Sequence, residues 1–557
     1  MDFRKLIAYV GFVVIALALW NAWQREHVPA VQTPAAINTT NTTVPTPSNS
    51  SNNNVVPTAP SASAKPVAAN TPTNTAGYIT VKTDVLDVVI DKQGGNIVQN
   101  SLLAYPQELN DPNPTILLNN DPSQLYVTQS GLTGASGPDT EQGQAIYQST
   151  SNTYNLDPGQ DKLMVNLTWH NAQGLAVTKI YTFYRGQYKV DLNYNVQNNG
   201  AKPAALYSYA QMQRIEPPSH SSLFHYGLFV GAAISSPDEH YQKLSFSDLG
   251  ATPLNQDISD GWAAMVQHYF LSAWVPPAGQ NYHYYSSYNS TTGLYTLGVM
   301  SQALNVAPHQ NATTGLAFYS GPAIATNLDA VAPHLSMTID YGWLWFISQF
   351  LFWVMSYIYK VVGNWGWSVI ILTLLIKAVF YQLSAKSYRS MAHMRRLQPK
   401  MQQLKERYGD DRQKVSQAMM ELYKKEKVNP LSGCLPILIQ IPFFIGLYYM
   451  IIESVELRQA PFIFWIHDLS VADPYYILPI IMGVLMFLQQ RLNPPAPDPM
   501  QQKVMMFLPV IFTIFFLNFP AGLVLYWITN TAIGALQQWW MLRQVNKEEE
   551  KAKSKKD

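Results

Sequence analysis

Residues 365–383 read WGWSVIILTLLIKAVFYQL, an apolar stretch with one cation, Lys377. About 20 apolar residues make a helix that crosses a bilayer core of about 30 Å. Lys377 follows Trp367 by ten residues, about 15 Å along such a helix, so its charge lies near mid-bilayer or slightly toward the cytoplasm. A charge there costs on the order of 3 kcal/mol on insertion scales. The stretch predicts a membrane protein with a lysine facing a polar cavity.

Three other polar residues are candidates to line this cavity. Thr373 lies four residues before Lys377 and shares its helix face. Gln440 and Asn530 lie in later apolar stretches, where they either face the same cavity or make ordinary hydrogen bonds between helices. Snorkelling is the alternative for Lys377, but its side chain is too short to reach either interface comfortably. The predicted spans after residue 364 contain no Asp or Glu, which disfavours an ion-coupled transporter.

Further apolar stretches predict the remaining spans. They are Leu431–Ile452, Tyr475–Gln490, Val504–Phe519 and Leu523–Trp540. The segment 386–427 carries twelve Lys or Arg against five Asp or Glu, and such an excess belongs in the cytoplasm. If Trp343–Val361 crossed the membrane, that segment would lie outside, so we expect Trp343–Val361 to lie along the outer interface as an amphipathic helix (residues 341–364). Six spans result, counting one near the N-terminus.

Two cytoplasmic segments are basic. Residues 385–428 predict a helical hairpin, in which Gly409 ends the first helix and Asp410 or Asp411 caps the second. Its charge could bind anionic lipid, ribosomal RNA or an acidic partner, or could serve only as a topology determinant. The Lys-rich tail 546–557 falls on the same side of the membrane.

The N-terminal half has three parts. Residues 1–28 read as a retained membrane anchor with a cytoplasmic N-terminus, and a cleaved signal peptide is the alternative. Residues 29–76 are rich in Pro, Thr, Asn, Ser and Ala and predict a disordered linker. Residues 77–340 alternate apolar and polar side chains with turn signals between the runs, which predicts a large antiparallel β-sandwich outside the cytoplasm.

The composition excludes several classes of function. The net charge of +1 argues against a broadly basic nucleic-acid binder. The single cysteine, Cys434, permits neither an intrachain disulfide nor a Cys-based zinc site, and no phosphate-binding loop of the G-x-x-x-x-G-K-[ST] type occurs. The eleven histidines show no metal-ligand spacing, and no nucleophile stands beside a base. We therefore expect no enzyme, no metal and no cofactor.

The stretch 505–516, rich in Met and Phe, suits either a guest helix or plain lipid contact by its pattern alone. The helical half carries five further motifs: GNWGWSVIILT (363–373), PILIQIPFF (436–444), VELRQAPF (455–462), DPYYILP (473–479) and FPAGLVLYW (519–527). These motifs resemble those of YidC-type membrane protein insertases of the Gram-negative kind, and the resemblance is strong over about 200 residues. The outer domain resembles that of the family more weakly, through TDVLD (83–87) and Gly94-Gly95.

This resemblance implies a multi-domain membrane protein of the bacterial inner membrane. Its helical core (365–545) would contain five conserved helices around a hydrophilic groove, and a periplasmic β-supersandwich would lie outside. The groove charge maps onto Lys377, where many relatives carry arginine, and further groove positions fall on Thr373 and Trp527, the latter a tyrosine in many relatives. An apolar slide for the substrate maps onto two segments of the third and fifth spans: Ile441, Pro442, Pro509, Val510, Ile511 and Phe515.

The implied function is insertion and folding of membrane proteins without ATP, alone or with the Sec translocon. The implied partners are nascent membrane proteins, the Sec translocon and its accessory subunits, the lipid bilayer, and a ribosome or targeting factor bound by the basic hairpin and tail. A solute transporter with a sugar-binding outer domain is a rival, but it predicts internal repeats and intramembrane acids that the sequence lacks. A structural scaffold without a groove is a third possibility.

Overall fold

The structure of the protein is a computed structural model. The described residues are 77–140, 143–218, 228–409, 411–426, 435–493 and 499–553. The expected anchor and linker (1–76) lie outside the described residues, as does the end of the tail (554–557).

Strands make up most of the region from residue 78 to residue 322. They are β1 Tyr78–Lys82, β2 Leu86–Asp91, β3 Asn96–Pro106, β4 Pro114–Leu118, β5 Tyr126–Thr133, β6 Gln148–Ser149, β7 Thr153–Asn155, β8 Lys162–His170, β9 Leu175–Tyr184, β10 Lys189–Asn198, β11 Ala204–Ile215, β12 Gly231–Ser235, β13 Gln242–Leu244, β14 Asn255–Ser259, β15 Trp262–Gln267, β16 Phe270–Val275, β17 Asn281–Asn289, β18 Leu294–Ser301, β19 Leu304–Val306 and β20 Gln310–Pro322. Two short helices, α1 Phe246–Ala251 and α2 Ala325–Asp329, accompany them.

These strands form three sheets. Their orders are β4-β3-β2-β1-β7, then β13-β12-β15-β16-β20-β10-β9-β8-β6, then β14-β17-β18-β11-β19, with β5 also paired to β11. All pairings between named strands are antiparallel except β1 with β7. In β10, Val190, Leu192, Tyr194 and Val196 are buried and alternate with more exposed polar residues, as the sequence pattern predicts. The β-rich outer region is therefore confirmed, while the supersandwich arrangement remains a prediction.

A lysine is fully buried in this β-rich region. Lys179 Nζ donates hydrogen bonds to Gly94 O (2.9 Å) and Ser130 O (2.7 Å), and the ring of Tyr181 lies 5.3 Å away. Burial lowers the pKa of Lys179 to about 7, an effect that the nearby Asp139 carboxylate opposes. Because three acceptors converge on one ammonium, counting Ser130 Oγ, this side chain ties two strands and a turn together.

The C-terminal half is helical. Its helices are α3 Trp345–Val362, α4 Trp365–Val379, α5 Tyr381–Tyr408, α6 Arg412–Lys425, α7 Leu435–Glu453, α8 Ile477–Gln490, α9 Pro499–Phe516 and α10 Ala521–Lys553. Helices α5 and α6 form the hairpin: Gly409, at φ 53°, ends α5, and the Asp411 side chain accepts a hydrogen bond from Lys414 N at the start of α6. Helix α10 runs unbroken from the last apolar stretch into the basic tail.

Among the described residues, one helix is long and apolar enough by itself to cross a bilayer, Gly342–Val362. Helices α4 and α5 are also long and apolar enough when they are taken together, but the chain bends by 67° between them at residue 380. Three shorter apolar helices are Ile439–Glu453, Ile477–Gln490 and Gln502–Phe516. The predicted number of six spans is therefore not tested by the described residues. This helix, Gly342–Val362, is the one that the sequence predicts to lie along the membrane interface.

The β-rich and helical regions are joined through the loop between α7 and α8. Arg458 donates to Pro106 O (2.8 Å) and Gln107 O (3.1 Å) of the β-region, and its guanidinium lies 5.7 Å from the Phe270 ring. His268, between two strands, hydrogen-bonds Ile452 O at the end of α7 (2.9 Å). The loop thus lies on the side of the helical region that faces the β-rich domain.

Candidate functional site

Lys377 lies where four helices converge. A Cβ built on Gly534 of α10 would stand 3.6 Å from Lys377 Nζ, 3.4 Å from Tyr388 Oη of α5 and 3.2 Å from Gln489 Nε2 of α8. The three polar ends therefore lie around a position on α10 that has no side chain. We call Lys377, Tyr388 and Gln489 the lysine cluster.

The ammonium of this cluster has no acidic partner among the described residues. The ion pairs between described residues lie elsewhere, in the β-rich region and the hairpin of α5 and α6. No group of three His, Cys, Asp or Glu side chains in the described part of the chain could hold a metal ion. The Lys377 side chain is half-buried, so it remains accessible to a group that enters between the helices.

A second polar layer lies beside the lysine cluster. Gln440 of α7 donates to Tyr526 Oη of α10 (3.0 Å) and also to Asn530 Oδ1. The structure thus joins Gln440 and Asn530, the two candidates that the sequence left open, in one hydrogen-bonded group. The hydrogen bond between Gln440 and Asn530 is also an ordinary contact between two helices, which is the alternative that the sequence analysis gave for these residues.

The two layers form one stripe along α10. Tyr526, Asn530 and Gly534 are spaced by four residues, so they lie on the same helix face, one turn apart. Sequence reasoning missed Tyr526, Gly534 and the lysine-cluster partners Tyr388 and Gln489. The four-residue spacing on α10 was a usable signal, whereas Tyr388 and Gln489 stand on separate helices and their convergence needs the tertiary packing.

Thr373 does not present its hydroxyl to this stripe. The side chain is fully buried, and its Oγ1 donates to Val369 O of its own helix (2.7 Å). A threonine hydroxyl bonded to the carbonyl four residues earlier is satisfied locally. Thr373 therefore shares the helix of Lys377 but brings no free polar group to the cluster.

Trp527 belongs to an aromatic layer next to the stripe. Its ring lies 5.0 Å from Phe444 of α7, 6.1 Å from Phe512 and 5.1 Å from Phe516, the last two on α9. One residue step turns a helix by about 100°, which separates this ring from the polar face at Tyr526. Trp527 packs between the two helices that carry the expected slide.

Four of the six expected slide residues are exposed. Ile441 on α7 is 44% exposed, and Val510, Ile511 and Phe515 on α9 are between 46% and 58% exposed. The other two are less accessible: Pro442 is half-buried, and Pro509 is buried with its carbonyl accepting from Thr513 Oγ1. Helix α9 thus presents an apolar face, and Pro509 contributes to its shape rather than to that surface.

The loop between α7 and α8 covers one end of the helical region. Asp473, which is buried, accepts hydrogen bonds from Leu478 N (2.7 Å) at the start of α8 and from Trp465 Nε1 (3.0 Å). Gly522 N at the start of α10 donates to Leu469 O of the loop (2.9 Å). These bonds fix the loop over the helix ends, so the polar stripe is covered on the side facing the β-rich domain.

Comparisons with known proteins cover the whole chain. The family described as YidC periplasmic domain matches residues 78–354, and the family described as 60Kd inner membrane protein matches residues 357–549. The chain is 51% identical to the membrane protein insertase YidC of Coxiella burnetii (strain Dugway 5J108-111), covering 100% of this chain and 98% of that protein. It is 48% identical to the membrane protein insertase YidC of Legionella pneumophila (strain Corby), covering 98% of each.

A crystal structure of an active YidC insertase is also similar, at 18% identity and a TM-score of 0.37, over 83% of this chain and 92% of that one. The identity to the curated relatives over nearly their full length, and the match of both families, agree with the β-rich and helical halves seen here. The chain therefore belongs to the YidC family of membrane protein insertases, bacterial inner membrane proteins with a periplasmic domain.

Proposed function

We propose that this protein inserts and folds proteins into the bacterial inner membrane through a hydrophilic groove and an apolar slide, without ATP. The observation that carries the proposal is the lysine cluster, an ammonium held between helices with no acidic partner among the described residues. A charge held within a membrane without a partner is costly, so its presence points to a partner that arrives and leaves.

The groove would consist of the polar stripe of α10 and the side chains that face it. Lys377, Gln440 and Asn530 line it, and Trp527 forms its aromatic wall. An acidic or polar N-terminal tail of the guest would enter from the cytoplasm and pass near Lys377. Polar groups within the membrane shorten the low-dielectric path, which lowers the barrier for the tail.

The slide would be the exposed apolar surface of α7 and α9. Ile441, Val510, Ile511 and Phe515 are the exposed side chains that a guest helix would contact. Burial of apolar surface provides about 25 cal/mol per Å². The membrane potential, negative inside, adds about 2.3 kcal/mol per 100 mV for each acidic charge moved outward. Together these two sources can drive insertion without nucleotide hydrolysis.

The arrangement in the membrane follows the same proposal. Both ends of α3 lie at the side facing the β-rich domain: Gly342 lies against Tyr449 near the end of α7, and Asn364, after α3, donates to Pro461 O in the loop (3.2 Å). This supports an interfacial α3, six spans and cytoplasmic termini. The basic hairpin and tail would then meet a ribosome or targeting factor, and the Sec translocon with its accessory subunits would be a lateral partner.

Site-specific photo-crosslinking tests the slide. A crosslinker at position 441 or 515 should capture a stalled nascent membrane protein during insertion. Position 357 on α3 is the matched control, because Tyr357 is an exposed aromatic residue on a helix outside the slide. Equal capture from all three positions, or none from 441 and 515, would contradict the proposal.

Complementation tests the groove charge. In cells depleted of their insertase, K377E should fail to support insertion of small substrates with acidic tails, K377A should be impaired, and K377R should be close to the original. K162E, at the exposed start of β8, changes the same charge outside the groove and should leave insertion unchanged. Full activity of both K377A and K377E would remove the groove charge from the mechanism.

A further inference from the structure

A second cationic site lies away from the lysine cluster, in a cleft of about 250 Å³ between the first turns of α5 and the C-terminal part of α10. Lys386 and Arg389 line it from α5, and Trp540 and Gln544 line it from α10. Residues 382, 386 and 389 follow each other at three- and four-residue steps, so one face of α5 carries both charges and the Gln382 amide into the cleft.

Neither charge is paired with an acidic side chain among the described residues. No acidic side chain lines the cleft, and neither Lys386 nor Arg389 takes part in the ion pairs between described residues. Elsewhere in the hairpin, by contrast, Lys400 pairs with Glu426 at 2.7 Å. A concave site with two unpaired cations and two amides has the chemistry to bind a phosphate group.

The depth of the cleft places it at the inner interface of the membrane. Helix α10 starts at Ala521, next to the loop on the outer side, and Trp540 follows 19 residues later, which is about 28 Å along the axis. The bilayer core is about 30 Å thick, so Trp540 reaches the level of the inner headgroups. Leu536, Trp540 and Tyr381 are 60%, 45% and 42% exposed, which gives the cleft an apolar and aromatic flank.

We propose that this cleft binds the headgroup phosphate of an anionic phospholipid of the inner leaflet. Lys386 and Arg389 contact the phosphate, the Gln382 and Gln544 amides complete its hydrogen bonds, and an acyl chain lies along Leu536 and Trp540. A lipid bound there connects the hairpin to the bilayer at the end of the groove.

Native mass spectrometry of the purified full-length protein tests this, with dioleoylphosphatidylglycerol and dioleoylphosphatidylcholine as probes. We expect one retained phosphatidylglycerol molecule and weaker retention of phosphatidylcholine. Each basic residue near a membrane surface contributes roughly fivefold in affinity, so K386Q/R389Q should weaken phosphatidylglycerol binding by about 25-fold. The swap K386R/R389K keeps both charges and should restore binding.

The matched control is K424Q/K425Q, which removes the same charge from the exposed end of α6. Equal losses in the cleft variant and the control, or equal retention of the two lipids, would overturn the proposal. A photo-crosslinker at position 544 separates lipid from guest. Capture of lipid supports the site, and capture of a nascent chain in its place would assign the cleft to the guest and refute it.

Discussion

Gly534 offers a steric test of the lysine cluster. Its missing side chain leaves the space in which Lys377, Tyr388 and Gln489 meet, because a Cβ there would stand 3.2–3.6 Å from all three polar ends. In G534L, three further carbon atoms must enter the same space. The polar ends can then no longer gather around one point, and the ammonium must move away from the stripe on α10.

The size of the effect follows from packing. Overpacking a close-fitting site costs about 1–3 kcal/mol. If that cost is added to the free-energy barrier for passage of the guest tail, insertion slows by about 5- to 150-fold, since each 1.36 kcal/mol is a factor of ten in rate. G534A adds only the Cβ, whose tightest contact is 3.2 Å to the Gln489 amide, and it gains up to about 1 kcal/mol of helix propensity. We expect G534A to be stable and largely active.

The assay is protease protection of a small acidic-tailed guest inserted into proteoliposomes, together with thermal unfolding of each purified variant. A378L is the matched control, because Ala378 is the neighbour of Lys377 on α4 but is exposed, so the same leucine points away from the cluster. A G534L protein that unfolds like the original and inserts the guest at an unchanged rate would refute the proposed path past Lys377.

Three other contacts carry further predictions. Q440A should slow insertion by up to about tenfold, since it leaves Asn530 without its partner, while N530D should disfavour acidic tails; guest protection in proteoliposomes measures both. R458A should lower the denaturant midpoint of the β-rich domain in the full chain by removing its bonds to Pro106 and Gln107. Between pH 7 and 9 the unfolded chain keeps the proton that folded Lys179 releases, so the free energy of unfolding should rise with pH, as measured by denaturant unfolding.

Each of these has a contradicting outcome. An N530D variant that inserts acidic and neutral tails equally well would separate Asn530 from the groove. An unchanged midpoint in R458A would mean that the loop does not support the β-rich domain. For Lys179, K179M is the reference: the same rise of stability with pH in both proteins would assign that rise to other groups.

Much of the outer fold follows from local pattern. Alternation in β10 predicts which side chains are buried, because successive side chains of a strand point to opposite faces. The hairpin also follows from local sequence, because Gly409 ends α5 and the Asp411 side chain caps the start of α6. The order of strands within the sheets is different, because it depends on pairings such as β5 with β11, between residues far apart in sequence.

Helix boundaries depart from the apolar stretches for a physical reason. Hydropathy predicts the end of the last span at Trp540, yet α10 continues to Lys553, and α9 starts at Pro499 instead of Val504. Lys, Glu, Gln and Arg are good helix formers, so a helix continues through polar residues after the membrane ends. The apolar stretches therefore predict the membrane-spanning part of each helix but not the residues at which the helix begins and ends.

The sequence predicts the charged residue of the site, Lys377, but only some of the residues around it. Lys377 stands out because an ionised side chain in an apolar stretch has few structural explanations. Thr373 satisfies the spacing rule, but its hydroxyl bonds to Val369 O, an outcome that spacing alone does not show. Tyr526 and Trp527 differ by one position, and only the packing shows that the tyrosine hydroxyl faces Gln440 while the tryptophan ring contacts Phe444.

Reversal of the groove charge tests the central claim most directly. Proteoliposomes without a membrane potential would carry either the original protein or K377E, and each would receive one guest with an acidic tail and one with a basic tail. If Lys377 attracts the tail, the original should protect the acidic guest better, and K377E should protect the basic guest better. The same preference for the acidic tail in both proteins would contradict a role for Lys377 in receiving the guest.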